Sequence, residues 1–456
     1  MEHAVAPPPL LLRWQGLLAG RPAGPLASHL PLVAGWVICG LMAGLPIITR
    51  TGLSLVIMAC ALLWVLWALR TPPGRIGAIH GWLLLVMAIA LIATGFSPVP
   101  TAAFKGLLKL LSYLGVYALM RQVLHTSPAW WDRMCGAMFA GALVTSVVGI
   151  RQLYDETSAL ARWSDANSVA RGTVRIYGTL GNPNLLGGYL LPVLPLAVVA
   201  LMRWRGVPRR LYALTALLLG LWALVMTYSR GAWMGLVAAF GTLGLLLALR
   251  LTRHWPPLWR RLLPIVLLAG GALLLAILVS QVEPLRVRVM SLLVGRQDSS
   301  NNFRINVWLA VLDMIQDRPV LGIGPGNTAF NLIYPLYQEP KFNALSAYSI
   351  PLELLVEAGI PGLLAGLGLY LSSLRLGLAQ LWGKGKLALP CLAGVAAFVG
   401  LGVQGLTDTI FFRPEVQLVA LFSLATIAAA SGLPPTGDDG ARSPDNPPGD
   451  PSAIAR

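Results

Sequence analysis

Two carboxylates, Glu353 and Glu357, stand four residues apart where Ser346-Ala347-Tyr348-Ser349-Ile350-Pro351-Leu352-Glu353 runs on into Glu357-Ala358-Gly359-Ile360-Pro361-Gly362. On a helix that spacing puts both on one face. Carboxylates within an apolar span are costly, so they are paired or functional. They read either as a cation-coupling pair or as structural partners of an arginine such as Arg230 or Arg304. Arg230 sits in Thr227-Tyr228-Ser229-Arg230-Gly231-Ala232-Trp233, which joins two apolar runs with almost no loop. An arginine there is a membrane-edge anchor or an anion ligand, because its planar fork suits phosphate, carboxylate or bicarbonate oxygens. Arg304, in Asn301-Asn302-Phe303-Arg304-Ile305-Asn306-Val307-Trp308, is a second cationic ligand or a surface arginine.

Two further motifs leave two readings each. Gly322-Ile323-Gly324-Pro325-Gly326-Asn327 is neither a Walker A loop nor a dinucleotide fingerprint. Gly324 and Gly326 expose amides that form an anion nest, or they only permit a tight turn. Gly181-Asn182-Pro183-Asn184 is a turn and helix cap, or it lines a cavity mouth with Asn182 and Asn184.

The elements that must hold these residues are membrane spans. Apolar stretches of about 17–25 residues cross a bilayer as helices. They occur near 31–48, 52–69, 77–95, 104–120, 134–150, 185–202, 211–228, 231–249, 262–281, 350–371, 388–407 and 415–431. The fourth carries Lys105 and Lys109 on one face, either snorkelling or facing an anion. Basic residues cluster in alternate connections, at Arg70 and Arg75, Arg203 to Arg210, Arg250 to Arg261, and Arg375 to Lys386. The short connections between them hold only Arg50, Arg230 and Arg413. By the positive-inside rule both termini are cytoplasmic. The reading is an all-α polytopic integral membrane protein of about 12 transmembrane helices, in the bacterial inner membrane.

Segments follow from this layout. Residues 1–30 are a cytoplasmic segment whose LLLRWQGLL stretch forms an interfacial helix; it does not read as a signal peptide. Residues 31–281 carry nine spans, with an outside loop at 151–184. Residues 282–349 form a large periplasmic loop, and 350–430 carry three spans. Residues 431–456, rich in Pro, Gly and Asp, form a disordered cytoplasmic tail. Long loops of this kind are usually functional. Within the larger one, Arg304 to Gln316 reads as an amphipathic helix. Asn301 or Asn302 caps it, Pro319 ends it, and Ile305, Trp308, Val311, Leu312 and Ile315 share a face.

Composition agrees. Apolar residues make up 56% and charged residues 11% of the chain, against roughly 25% charged in soluble domains. The apolar content excludes general disorder, and the unbroken apolar runs exclude a transmembrane β-barrel. The net charge of +16 follows from the inside-loop bias and calls for no nucleic acid. Cys39, Cys60, Cys135 and Cys391 are scattered and read as packing residues, and five distant histidines support no metal site. No cofactor is called for.

The motifs LRVRVMSLLVGRQDSSNNFRINVWLAVLDMIQDRPVLGIGPGNTAFNLIYPLYQ, FNALSAYSIPLEL, YGTLGNPNLLGGYL, TYSRGAW and ATGFSP resemble the cyanobacterial IctB-type inorganic-carbon proteins, described as bicarbonate transporters. The resemblance runs from about residue 30 to 430. In layout the chain is also similar to the larger O-antigen ligase and polymerase (Wzy/WaaL-like) superfamily, which moves glycans from undecaprenyl diphosphate. The ligase pattern implies that Arg230 and Arg304 hold a diphosphate, with Arg175 as a further anion-binding candidate. It also carries a His-x-His-Asn motif after the large loop. Here the corresponding positions are Ser346, Tyr348 and Ser349, so the general-base histidine is missing. Three functions follow as expectations. The first is bicarbonate transport or accumulation, with Arg230, Arg304 and the glycine loop binding the anion, Tyr348 lining the cavity, and Glu353 or Glu357 coupling a cation. The second is glycan transfer from undecaprenyl diphosphate on the periplasmic side. The third is regulation of a partner transporter.

Overall fold

The computed structural model describes residues 25–70, 77–154, 174–281, 283–290, 295–409 and 413–432. The expected N-terminal interfacial helix and the expected tail after residue 432 lie outside them, as does most of the 151–184 loop. The described residues form α1 (Pro25–Gly44), α2 (Arg50–Ala68), α3 (Ala78–Gly95), α4 (Pro100–Thr126), α5 (Ala129–Arg151), α6 (Pro183–Arg203), α7 (Val207–Met226), α8 (Arg230–Leu251), α9 (Pro257–Gln281), α10 (Glu283–Met290), α11 (Ser299–Asp317), α12 (Asn327–Ile333), α13 (Ile350–Ala379), α14 (Ala388–Gly405) and α15 (Pro414–Gly432). No strand occurs among the described residues. Ten helices, α2–α8 and α13–α15, are long and apolar enough to cross a membrane. The two other apolar runs are helical too, as the shorter apolar piece His29–Gly44 of α1 and as α9.

The interior of the bundle is α6, α14 and α15, whose side chains are mostly buried. α8 packs along α14, α6 on α7 and α14, α15 on α4, and α13 on α3. Small residues set the closest crossing. A Cβ on Gly235 of α8 would stand 2.6 Å from Gly400 O of α14, so the two backbones touch; packing of this kind holds membrane helices together where no hydrophobic driving force acts between them. All four cysteines are buried and free.

The span that enters the site is broken. α13 has a non-helical residue at Gly359 (φ 65°), two residues before Pro361. Proline has no N–H to give to the carbonyl four residues back. That carbonyl, Glu357 O, instead accepts from Gly324 N–H at 3.0 Å, and Val356 O accepts from Ile323 N–H at 2.8 Å. In return Ile360 N–H donates to Pro319 O at 2.8 Å. The break is thus sealed by the segment after α11, as buried backbone polar groups require.

The 282–349 segment has its own small core, in which Val307, Ala310, Val311 and Met314 of α11 meet Ile323, Phe330, Tyr334 and Ala347. α11 is longer than expected, and its cap is Asp298, not Asn301 or Asn302. Its buried stripe is rotated from the expected face: Leu312 is 43% exposed and Ile305 and Trp308 only half-buried. The helix lies against a folded loop as well as the bundle, so two surfaces, not one, select its apolar positions. Of the two lysines of α4, Lys105 is exposed, whereas Lys109 lies within electrostatic reach of Glu357 and 5.6 Å from the Tyr113 ring. They share no role.

Candidate functional site

The site lies at the end of the bundle where α7 and α14 finish and α6, α8, α13 and α15 begin. Three arginines reach it from three segments. Arg175 belongs to the stretch 174–182, which Gln152 ties to the end of α5: the Gln152 amide donates to Gly178 O and accepts from Tyr177 and Gly178 N–H, each at 3.0 Å. Arg175 Nε then donates to Thr227 O at 2.9 Å, and its Nη2 to Asn184 Oδ1 at 2.9 Å. Arg304, on α11, uses the same device: its Nε donates to Thr407 O at 2.9 Å and its Nη1 to Ser300 Oγ at 2.7 Å. Thr227 caps α7 and Thr407 follows the cap of α14. Helix C-termini present carbonyls without intrahelical partners and favour nearby cations. The two guanidinium planes are therefore fixed by two helix ends.

Arg230 is held differently. Ser229 caps α8 by accepting from Ala232 N–H, and Arg230 Nη2 meets Asp298 Oδ1 at 3.1 Å. Asp298 is fully buried and also caps α11 through Asn301 N–H. Glu353 and Glu357 are the carboxylates expected to pair with Arg230 or Arg304; the ion pair that Arg230 makes here is with Asp298. Gly231 and Gly187 allow the elements to close. A Cβ on Gly231 would lie 3.0 Å from Thr407 Oγ1, and one on Gly187 2.7 Å from Ala232 Cβ.

Asp408, which the sequence reading did not single out, stands among these groups. It is half-buried between α14 and α15. Thr409 N–H and the Asn184 side chain donate to its carboxylate, and Arg304 and Arg175 are its neighbouring cations. Burial pushes the Asp408 carboxyl up from its ordinary range, against the pull of Arg304, the hydrogen bonds and Arg175. Because Asn184 Oδ1 is taken by Arg175, its amide nitrogen is the donor to Asp408, which gives a relay Arg175–Asn184–Asp408. Asn182 keeps to the cap of α6, accepting from Asn184 and Leu185 N–H.

Tyr348 adjoins Asp408 and Arg304 and packs edge-on against Phe303 at 5.5 Å. Burial pushes its hydroxyl up from the ordinary value. Tyr228 and Tyr348 both hold positive φ, 48° and 50°. Left-handed backbone at a bulky residue is strained and gathers at functional sites.

The remaining candidates are drawn away from an anion. Gly324 N–H is taken by Glu357 O, and Gly326 N–H by Glu357 Oε1 at 2.7 Å. Both glycines have positive φ, 93° and 100°, and the loop packs on Gly106 and Ala103 of α4. The two amides that an anion nest would use are thus bonded within the protein, and the loop docks α11, α4 and the broken α13 to one another. Glu353 Oε2 accepts from Ala347 N–H at 2.7 Å and Thr409 Oγ1 at 3.4 Å. This ties the Ser346–Ser349 turn to the Asp408 segment.

Residues 215–367 match the model of the O-antigen ligase family. That stretch contains Arg230, Arg304, Glu353 and Glu357, while Arg175, Asn184 and Asp408 fall outside it. No curated protein matches the chain.

Proposed function

We propose that this multi-pass membrane protein transfers a glycan from a polyprenyl diphosphate carrier at the outer face of the bacterial inner membrane. The observation that carries the reading is the pair Arg304 and Arg175, each anchored at Nε by a helix-end carbonyl, in a chain matching the O-antigen ligase family over 215–367. Oriented guanidinium forks suit phosphate oxygens and stabilise charge that develops on a diphosphate leaving group. Arg230 positions α11 through Asp298 and so sets where Arg304 stands. In this reading α1–α9 and α13–α15 make twelve crossings with both termini cytoplasmic, as the distribution of basic residues requires. The lipid carrier reaches the site from the bilayer, and the glycan occupies the side beneath the 282–349 segment.

One observation favours bicarbonate instead: no histidine stands among Ser346–Ser349, and the same arginines suit a small oxyanion. Thermal unfolding of the purified protein separates the two. Undecaprenyl diphosphate should raise the melting temperature of the wild type with the logarithm of its concentration over the dissociation constant, and should not do so for Arg304→Ala or Arg175→Ala. Stabilisation by bicarbonate alone, lost in the same variants, would sink the glycan reading and direct attention to flux in proteoliposomes.

A further inference from the structure

The turn where the ligase pattern carries its histidine offers no base of neutral pKa: Ser346 and Ser349 are buried at 2% and 5% exposure, and burial pushes the Tyr348 hydroxyl up from its ordinary value. Among the described carboxylates at this end of the bundle, most have structural partners. Asp298 caps α11 and pairs with Arg230. Glu353 and Glu357 hold Ala347 and Gly326 N–H. Glu415 pairs with Arg413 at 2.7 Å. Asp408 differs. It is half-buried, oriented by Thr409 N–H and Asn184, and set beside the two guanidiniums that would hold a diphosphate.

We propose that Asp408 accepts the proton of the acceptor hydroxyl, and that binding of the donor diphosphate itself makes it a stronger base. This rests on the glycan-transfer reading. The hydroxyl oxygen forms a bond to the anomeric carbon as the bond from that carbon to the diphosphate oxygen breaks. The bonding pair leaves on the diphosphate under Arg304 and Arg175, and the hydroxyl proton passes to Asp408, which later releases it to water. Before the donor binds, burial raises the Asp408 carboxyl while Arg304 and Arg175 pull it back toward the ionised form. A diphosphate on the same arginines offsets their charge and adds its own, which raises the proton affinity of the carboxylate. Among the described residues, the other ionisable groups on the surrounding elements include Tyr348 before α13, Glu353 reached through Thr409, the Arg230–Asp298 pair between α8 and α11, and the Arg413–Glu415 pair at the start of α15.

The test uses the full chain, restored to membranes of a deletion strain that supply the acceptor, with radiolabelled undecaprenyl-diphosphate oligosaccharide as donor. Release of undecaprenyl diphosphate is followed against pH, and binding of undecaprenyl diphosphate is measured on purified protein. Asp408→Asn should bind within about threefold of wild type yet turn over about 100-fold or more slowly, the range of general-base catalysis. Asp408→Glu should recover part of the rate. The acidic limb of the wild type should lie at higher pH in kcat than in kcat/KM, because kcat reports the loaded site. Turnover by Asp408→Asn within about threefold of wild type, or the same acidic limb in that variant, would overturn the proposal. So would loss of binding in step with turnover, which would make Asp408 a support for the arginines. A wild type that neither binds nor consumes the donor would bring down the glycan-transfer reading itself, and this proposal with it.

Discussion

Replacing Asp298 by asparagine separates two tasks of one carboxylate. Its Oδ1 accepts from Asn301 N–H and meets Arg230 Nη2, both at 3.1 Å. Asparagine caps a helix about as well as aspartate, so Asp298→Asn keeps the cap of α11 and removes only the charge. Asp298 is 0% exposed and the Arg230 side chain 9%. Breaking a buried pair from one side costs about 3–5 kcal/mol. Arg230 is long enough to turn toward the headgroups, which places Asp298→Asn near the lower end, about 3 kcal/mol. Asp298→Ala also loses the cap and should cost about 1 kcal/mol more. Arg230→Ala leaves a buried carboxylate whose Oδ2 already has no hydrogen-bond partner, and should cost about 3–4 kcal/mol. The double variant Arg230→Ala/Asp298→Asn leaves no charge stranded, so it should be about 2 kcal/mol more stable than the sum of the single effects. Equilibrium unfolding of the purified protein in mixed micelles measures all four species. Additivity within about 0.5 kcal/mol would refute the view that this pair holds α11 to the bundle.

Other perturbations test the remaining parts. Arg304→Lys keeps the charge but loses the fork, so affinity for undecaprenyl diphosphate should fall about tenfold or more in a binding titration. Gly359→Ala puts a Cβ against Val320 O at a φ of 65° and should destabilise by several kcal/mol, on the order of a strained backbone plus a clash; normal stability in micelles would remove the case for the broken helix. Ser229→Ala should cost about 1 kcal/mol through the lost cap of α8, read as a lower unfolding midpoint. Glu353→Gln should be tolerated better than Glu353→Ala, because a carboxamide oxygen still accepts from Ala347 N–H and a truncated side chain leaves that donor unpaired; equal unfolding midpoints for the two would count against that contact.

Which residues would meet was only partly legible from their order in the chain. Arg304 and Arg230 stood out because each interrupts an apolar pattern. Asp408 did not, because a single aspartate in the short connection between two spans carries no spacing signal. Its place becomes meaningful only when α6 brings Asn184, and the 174–182 stretch brings Arg175, to the same end of the bundle. Asp298 was passed over for a related reason: Asn301 and Asn302 are equally good caps by type, and the choice falls to Asp298 because Arg230 is there to neutralise it. A signal existed in hindsight, since an aspartate preceding Ser-Ser-Asn-Asn is itself a strong cap pattern.

The amino-acid sequence by itself determined the helical class, the apolar runs and the breaks between them, because crossing a bilayer demands about twenty apolar residues with every backbone group bonded within the helix. Those are local requirements and are written locally. Only the tertiary structure decided what the motif residues do. It bonded the glycine loop to the backbone freed at Gly359–Pro361, matched Arg230 to a buried carboxylate 68 residues away, and gathered Asp408, Asn184, Arg175 and Arg304 around one point. Electrostatic partners act through space over a few ångströms, and no periodicity in the sequence encodes which helix ends come to lie side by side.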